Sequence, residues 1–258
     1  MTTRTPPSRG QLLEHVVRHR IAGDVATSRA SNLGNIDRML RREPDYWFGL
    51  ALDRPWSVDE VLKVLVLRVG IDPDPTRTSG TDRIDPELCL GALDEAAEML
   101  GRAARDRSRV LLATGHPTGL LSLHLLLAEG LAAAGCTVLD AGDGTTYDVD
   151  GERRRIRYVG GVATFGSGGD LLHTHAPEPM QRVLGELDGR PDLVVADHGW
   201  AGAAGQAGIP TIGFADTNDP ALFVGAEEGK VAVAVPLDDN VLPAAYVPLS
   251  AYLLRLVR

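Results

Sequence analysis

The chain has 258 residues, 44% of them apolar and 5% aromatic, with 26 basic and 35 acidic side chains. That length accommodates one large domain, or one domain with an extension, around a core that must rest on Ala, Val and Leu. The net charge of -9 excludes generic attraction to nucleic acid or to an anionic membrane, but not local arginines on a small anionic substrate.

Cys89 and Cys136 have no metal-type spacing and read as reduced thiols of a cytosolic protein. The opening Met1-Thr-Thr-Arg-Thr-Pro-Pro lacks an apolar signal core, and the Leu-rich stretch 120–127 carries His124 and is too short to span a bilayer. A soluble, cytoplasmic protein is expected.

From the N-terminus, residues 11–21 place Leu12, Val16 and Val17 at helical spacing. The polar, small stretch 22–35 reads as a loop between helices, able to lend Arg29 and Asn32 to an anion or simply to connect. Helices follow at 33–42 and 58–69, the latter with Ser57 as N-cap and Glu60 at the capping-box position. Asp72-Pro-Asp-Pro-Thr is a rigid loop, and residues 86–105 form a helix after Asp85, with Pro86 at its first position.

From Arg109 the pattern becomes α/β. A strand at 110–113 leads through Thr114-Gly-His-Pro-Thr-Gly119 into a buried helix at 120–134 and a strand at 136–139. Segments 154–165 and 171–175 flank a hairpin turn at 166–170, and a helix covers 178–187. Three apolar, β-branched runs then end abruptly in acids or amides, at Asp197-His198, at Asp216-Thr-Asn218-Asp219 and at Asp238-Asp239-Asn240. Such runs separated by helix-length segments are parallel strands covered on both faces. The expected fold is therefore a doubly wound, mostly parallel α/β sheet, Rossmann-like and three-layered, with an N-terminal helical extension. Residues 1–105 would pack on a core formed by 106–258, which carries the site.

In such sheets ligands bind outside the carboxyl ends of the strands. Hard oxygen ligands and His198 meet there, in the pattern of a divalent-metal or polar small-molecule site. The Thr114–Gly119 turn lacks both the Walker and the dinucleotide glycine patterns; it either offers N–H groups to an anion or is a tight turn. His173 and His175, two apart on a predicted strand, share a face and can hold a metal or contact a phosphate, or form a polar hairpin face. Asp197 is a metal ligand or a helix cap, Asp219 before Pro220 reads as a structural N-cap, and capping leaves Asp216 and Asn218 unexplained. His124 reads as a core histidine. Asp238 and Asp239 form a like-charge pair that a cation would offset, or a solvated loop. Asp148-Val-Asp150-Gly151 has the Asp-x-Asp look of a haloacid-dehalogenase nucleophile but no buried strand before it, so a hairpin turn is the better reading.

Taken together, Ala113-Thr-Gly-His-Pro-Thr-Gly, His173-Thr-His-Ala-Pro, Ala196-Asp-His-Gly, Ala215-Asp-Thr-Asn-Asp-Pro-Ala-Leu and Asp238-Asp-Asn resemble a family of bacterial phosphatases. The N-terminal segment around Asp24, Arg29 and Asn32 is also similar, so the resemblance covers most of the chain. It implies hydrolysis of a phosphate ester of a small metabolite. On that basis Mg²⁺ or Mn²⁺ would sit on Asp197, Asp216, Asn218 and Asp238. His198, His116 and His175 would move protons, and Arg29, Asn32, Gly115, Thr118, Gly119 and His173 would bind the substrate. Two alternatives stay open: a lyase or cyclase acting on a small carboxylate, and a non-catalytic nucleotide- or metabolite-binding protein. The expected partner is a small anionic molecule, not nucleic acid or membrane, with homodimer formation left open.

Overall fold

The computed structural model describes residues 5–149 and 151–257. Residues 1–4 of the stretch read for a signal core, and Asp150 of the Asp-x-Asp sequence, lie outside the described residues. The N-terminal part contains α1 (Arg9–Arg18), β1 (Gly23–Ser28), α2 (Arg29–Leu40), α3 (Pro44–Trp47), α4 (Val58–Arg68), β2 (Thr81–Ile84) and α5 (Pro86–Arg105). Next come β3 (Arg109–Thr114), α6 (Pro117–Ala133), β4 (Thr137–Val138), β5 (Thr146–Val149), β6 (Glu152–Val159), β7 (Val162–Ser167) and β8 (Asp170–Leu171). The last part holds α7 (Glu178–Glu186), β9 (Leu193–Asp197), α8 (His198–Gln206), β10 (Thr211–Ala215), α9 (Pro220–Glu227), β11 (Val233–Pro236) and α10 (Val247–Leu253).

Capping chemistry starts several helices where the sequence places them. Ser57 and Glu60 exchange the two bonds of a capping box at α4, and the Asp85 side chain accepts from the N–H groups of Glu87 and Leu88 at α5. The stretch 22–35 is not a loop. It forms β1, paired antiparallel with β2, and then α2, which starts at Arg29 because Ser28 caps it through the Ser31 N–H. Neither strand shows apolar alternation long enough to stand out, which is why the N-terminal part reads as wholly helical.

The main sheet runs β11-β10-β9-β3-β7-β6-β5, with β4 beside β3 and β8 beside β7. Strands β11, β10, β9, β3 and β7 are mutually parallel, and β4 joins β3 in the same sense. Strands β5, β6 and β8 are antiparallel additions. The doubly wound, three-layer expectation is met. Helices α5, α6 and α10 pack together on one side, and α7, α8 and α9 on the other, with α2 and α4 against α9. Segment 154–165 is not one strand: Gly160 and Gly161, both at positive φ (55° and 83°), turn the chain between β6 and β7. His173 and His175 sit in the loop after β8 rather than on a strand. Tyr147–Arg154 and Val149–Glu152 pairing confirms a hairpin around the Asp-x-Asp sequence. Among the described residues no helix is long and apolar enough to cross a membrane.

The chain leaves β3 toward β7 but leaves β9 toward β10. The loops after β3 and β9 therefore diverge, opening the crevice expected at a switch in strand order.

Candidate active site

Two loops frame that crevice. After β3, the Thr114 hydroxyl accepts the His116 N–H at 3.0 Å, and the Gly115 N–H donates to Asp197 Oδ1 at 2.6 Å, tying the β3 loop to the end of β9. After β9, His198 opens α8 in a left-handed conformation, φ 46°. A non-glycine residue in this region is strained and persists only where its surroundings dictate it. The helix start is closely covered: a Cβ on Gly199 would lie 2.2 Å from the His175 carbonyl oxygen, and one on Gly202 would lie 2.1 Å from that of Phe48. The small residues after Asp197 thus let two other segments of the chain close over the helix start.

His198 is held from behind. Its Nδ1 meets Asp197 Oδ1 at 3.1 Å, while Asp197 Oδ2 pairs with His124 Nε2 at 3.2 Å. Burial alone would raise the Asp197 carboxyl, but the bonds from His124 and His198 keep it well below its ordinary range. With Nδ1 engaged, Nε2 of His198 faces forward, 3.3 Å from Asp239 Oδ2 and 3.5 Å from Asp219 Oδ2. Carboxylate behind and open ring nitrogen in front is the arrangement that orients a metal-ligating histidine.

Three more imidazoles gather beside it. Ring centres lie 4.5 Å apart for His116 and His173, 4.8 Å for His173 and His175, and 4.5 Å for His175 and His198. Burial, then the neighbouring His198, pushes His173 down to about 4 and His175 down to about 3, leaving lone pairs available at neutral pH. His175 Nδ1 donates to the Asp45 carbonyl at 3.0 Å, so its Nε2 carries the lone pair. In His116, burial is outweighed by Asp239, and the pKa is raised.

Opposite the rings stand four buried acids, Asp216, Asp219, Asp238 and Asp239, none more than 4% exposed. Burial first, then Asp239 and Asp238, drives Asp216 well up, and burial lifts Asp219 to about 6. Asp239 goes the other way: burial opposes ionisation, yet the imidazoles of His116 and His198 beside it win. Among the described residues, three groups bring ligand atoms within 4.8 Å of one another: His116, His173 and His198; His198, Asp219 and Asp239; Asp216, Asp238 and Asp239.

Several candidates from the sequence stand elsewhere. Arg29 is fully buried in an ion pair with Asp82 at 2.9 Å and also donates to the carbonyls of Asp74 and Arg77; Asn32 donates to the same Asp82 carboxylate. Both are committed to the scaffold. Asp197 faces away from the acids, its oxygens already accepting from Gly115, His198 and His124. The Asn218 side chain donates to Ser31 Oγ at 3.4 Å. Gly115 and Gly119 are there for close approach, since Cβ atoms would lie 2.3 Å from the Thr174 carbonyl oxygen and 2.1 Å from that of Asp239. Thr118 is exposed on a cavity of about 490 Å³ that it lines with His19, His116, Gly119, Asn240 and Leu242. Asp216 and Asp238 are in the cluster, as are His116, His173 and His198.

Asp219 and Asp239 complete the cluster; the sequence reads the first as a helix cap and weighs the second, with Asp238, as a like-charge pair that a cation would offset or as a solvated loop. Asp219 makes no side-chain cap bond to α9; its Oδ2 accepts the Asp216 N–H at 3.1 Å instead. Asp219 thus occupies the N-cap position read from the Asp-Pro pair, with its carboxylate bonded to the Asp216 N–H rather than to the helix. His124 is indeed buried, but it serves Asp197.

A crevice of buried acids and imidazoles at the carboxyl edge of a parallel sheet is the active-site architecture of an α/β enzyme. The kind of enzyme follows from kinship: the family model described as Phosphatase matches residues 7–258. The chain belongs to the Phosphatase family and is a hydrolase of that class. It is similar to Phosphatase SCO2771 of Streptomyces coelicolor (strain ATCC BAA-471 / A3(2) / M145), 47% identical over 254 residues that cover 96% of this chain and 95% of that protein.

Proposed function

We propose that the enzyme hydrolyses a phosphate ester of a small metabolite with a divalent cation, Mg²⁺ or Mn²⁺, held in the cluster of His198, Asp216, Asp219, Asp238 and Asp239. The observation that carries this reading is the convergence of His198 Nε2 on two buried carboxylates while Asp197 grips the ring from behind. The donor set fits a cation. Among the described residues, the ion pairs to Asp219 and Asp239 come from histidine alone, so burying these charges calls for a positive partner.

A cation held there would supply charge for the phosphoryl oxygens and would acidify the attacking water. Asp197 and His124 keep His198 in the tautomer that faces the cluster. His116, beside Asp239 at the cavity mouth, delivers a proton to the departing ester oxygen. The cavity it shares with Thr118, Asn240 and Leu242 receives the organic group; its 490 Å³ suits a small metabolite.

Phosphate release from a panel of phosphomonoesters, with Mg²⁺, with Mn²⁺ and with EDTA, tests the proposal. Release should require metal and disappear in Asp239→Asn. Silence across the panel from folded protein would overturn the small-phosphomonoester substrate, and release that persists in EDTA would overturn the cation.

A further inference from the structure

Two of the three ligand groups share a residue. Asp239 belongs both to the set with His198 and Asp219 and to the set with Asp216 and Asp238. The second set is assembled from two strand ends and braced by the N-terminal ribbon. Ala26 N–H donates to Asp238 Oδ2 at 3.2 Å, and the Thr27 hydroxyl donates to Asp216 Oδ2. These bonds fix the carboxylates without neutralising them.

Acids alone would carry no conclusion. The pointer to a ligand is His116: only 3% exposed, its Nδ1 has no hydrogen-bond partner although it lies 3.2 Å from Asp239 Oδ2. His198 Nε2 stands 3.3 Å from that same oxygen. Two ring nitrogens crowd one carboxylate oxygen, and the closer of them forms no aligned bond to it. An oxygen whose lone pairs are directed at cations on either side accounts for this crowding.

We propose that the cluster forms two adjacent divalent-cation positions bridged by Asp239, one completed by His198 and Asp219, the other by Asp216 and Asp238. This deepens the metal-assisted reading above and rests on it. The two positions differ in chemistry. The first mixes imidazole with carboxylate and suits Mn²⁺, Fe²⁺ or Zn²⁺; the second is all carboxylate and suits Mg²⁺ or Mn²⁺. Mn²⁺ alone is therefore expected to fill both, and Mg²⁺ alone only the second. Paired positions of this kind serve phosphoryl chemistry by clamping both the attacking and the leaving oxygen.

The test is metal analysis of the full-length protein equilibrated with Mn²⁺ or Mg²⁺ and desalted, with electron paramagnetic resonance on the Mn²⁺ form. Wild type should hold about two Mn²⁺ per chain with an exchange-coupled signal, and about one Mg²⁺. Asp238→Asn, which relieves buried like charge and should fold, is expected to hold about one Mn²⁺ with an isolated-ion signal. Asp219→Asn, which likewise relieves buried like charge, should lose the other Mn²⁺ and keep Mg²⁺. About one Mn²⁺ in wild type, or no loss in either variant, would overturn the second position. One bound ion with metal-dependent phosphate release sinks the pair of positions but leaves the phosphatase mechanism standing. Two bound ions without metal-dependent release does the reverse.

Discussion

Two clusters of buried charge sit side by side in this molecule, and they are built on opposite principles. Around Asp82 every demand is met: Arg29 and Asn32 donate to Oδ2, while the Asp72 N–H and Arg77 donate to Oδ1. Across α2, the four acids at the sheet edge take hydrogen bonds from neutral donors such as Ala26, Thr27 and Asn240, and among the described residues their ion-pair partners are imidazoles alone, one of them with an unpartnered nitrogen. Buried charge that is fully compensated specifies a structure; buried charge left open specifies a ligand. The two are joined through Asn32, whose Oδ1 accepts the Thr217 hydroxyl one residue beyond Asp216. The closed network thus positions the open one.

The strongest way to sharpen that contrast is to remove the ring at the centre of the open cluster. His198→Asn keeps a residue that tolerates the left-handed backbone and deletes the imidazole. Phosphate release is expected to fall by about 10²–10³-fold or more, with thermal unfolding little changed. A variant that unfolds, or one that stays active, would place His198 in the scaffold. The closed cluster should respond the other way. Asp82→Asn strands Arg29 as a buried, unpaired cation and is expected to cost about 3–5 kcal/mol of stability by urea titration. Activity per folded molecule should hold at a temperature where the variant remains native.

An intermediate effect is expected where the two logics meet. Asp197 contacts no group in the cluster other than His198, yet it orients that ring. Asp197→Asn should lower metal affinity or kcat/KM by about 10–100-fold. Metal titration checks which, and an unaltered metal affinity together with unaltered kcat/KM would separate Asp197 from the site.

The sheet was legible because β3, β9 and β10 are short, continuous apolar runs that end in polar residues, the pattern left by a parallel strand buried on both faces. That pattern also located Asp216, Asp238 and His198 at one edge, since topology puts strand ends together whatever the side chains do. Roles were harder to see. Arg29 looks like an anion binder because its partner Asp82 is 53 residues away in a strand too short to recognise. Asp219 looks like a cap because caps and ligands use the same residue before the same proline. Asp197 looks like a ligand because its competing donors, Gly115 and His124, come from the far side of a crossover. In each case the deciding fact is a long-range partner, and residue spacing carries no record of it.

The smallest expected effect follows from the closed cluster's own titration. Burial would raise Asp82, but the Asp72 N–H, Arg29 and Asn32 together bring it below its ordinary 3.8. A carboxyl depressed in the folded state contributes stability that is fully present above its unfolded pKa and is lost as pH falls through the folded one. Wild type should therefore lose stability on acidification below 3.8, and Asp82→Asn, which has no such proton to take up, should show a shallower slope there. Urea midpoints across that acid range, in EDTA so that the open cluster contributes equally to both proteins, provide the comparison. Parallel slopes would mean that the Arg29 pair is not what holds Asp82 ionised, and the line between a closed scaffold and an open site would have to be drawn elsewhere.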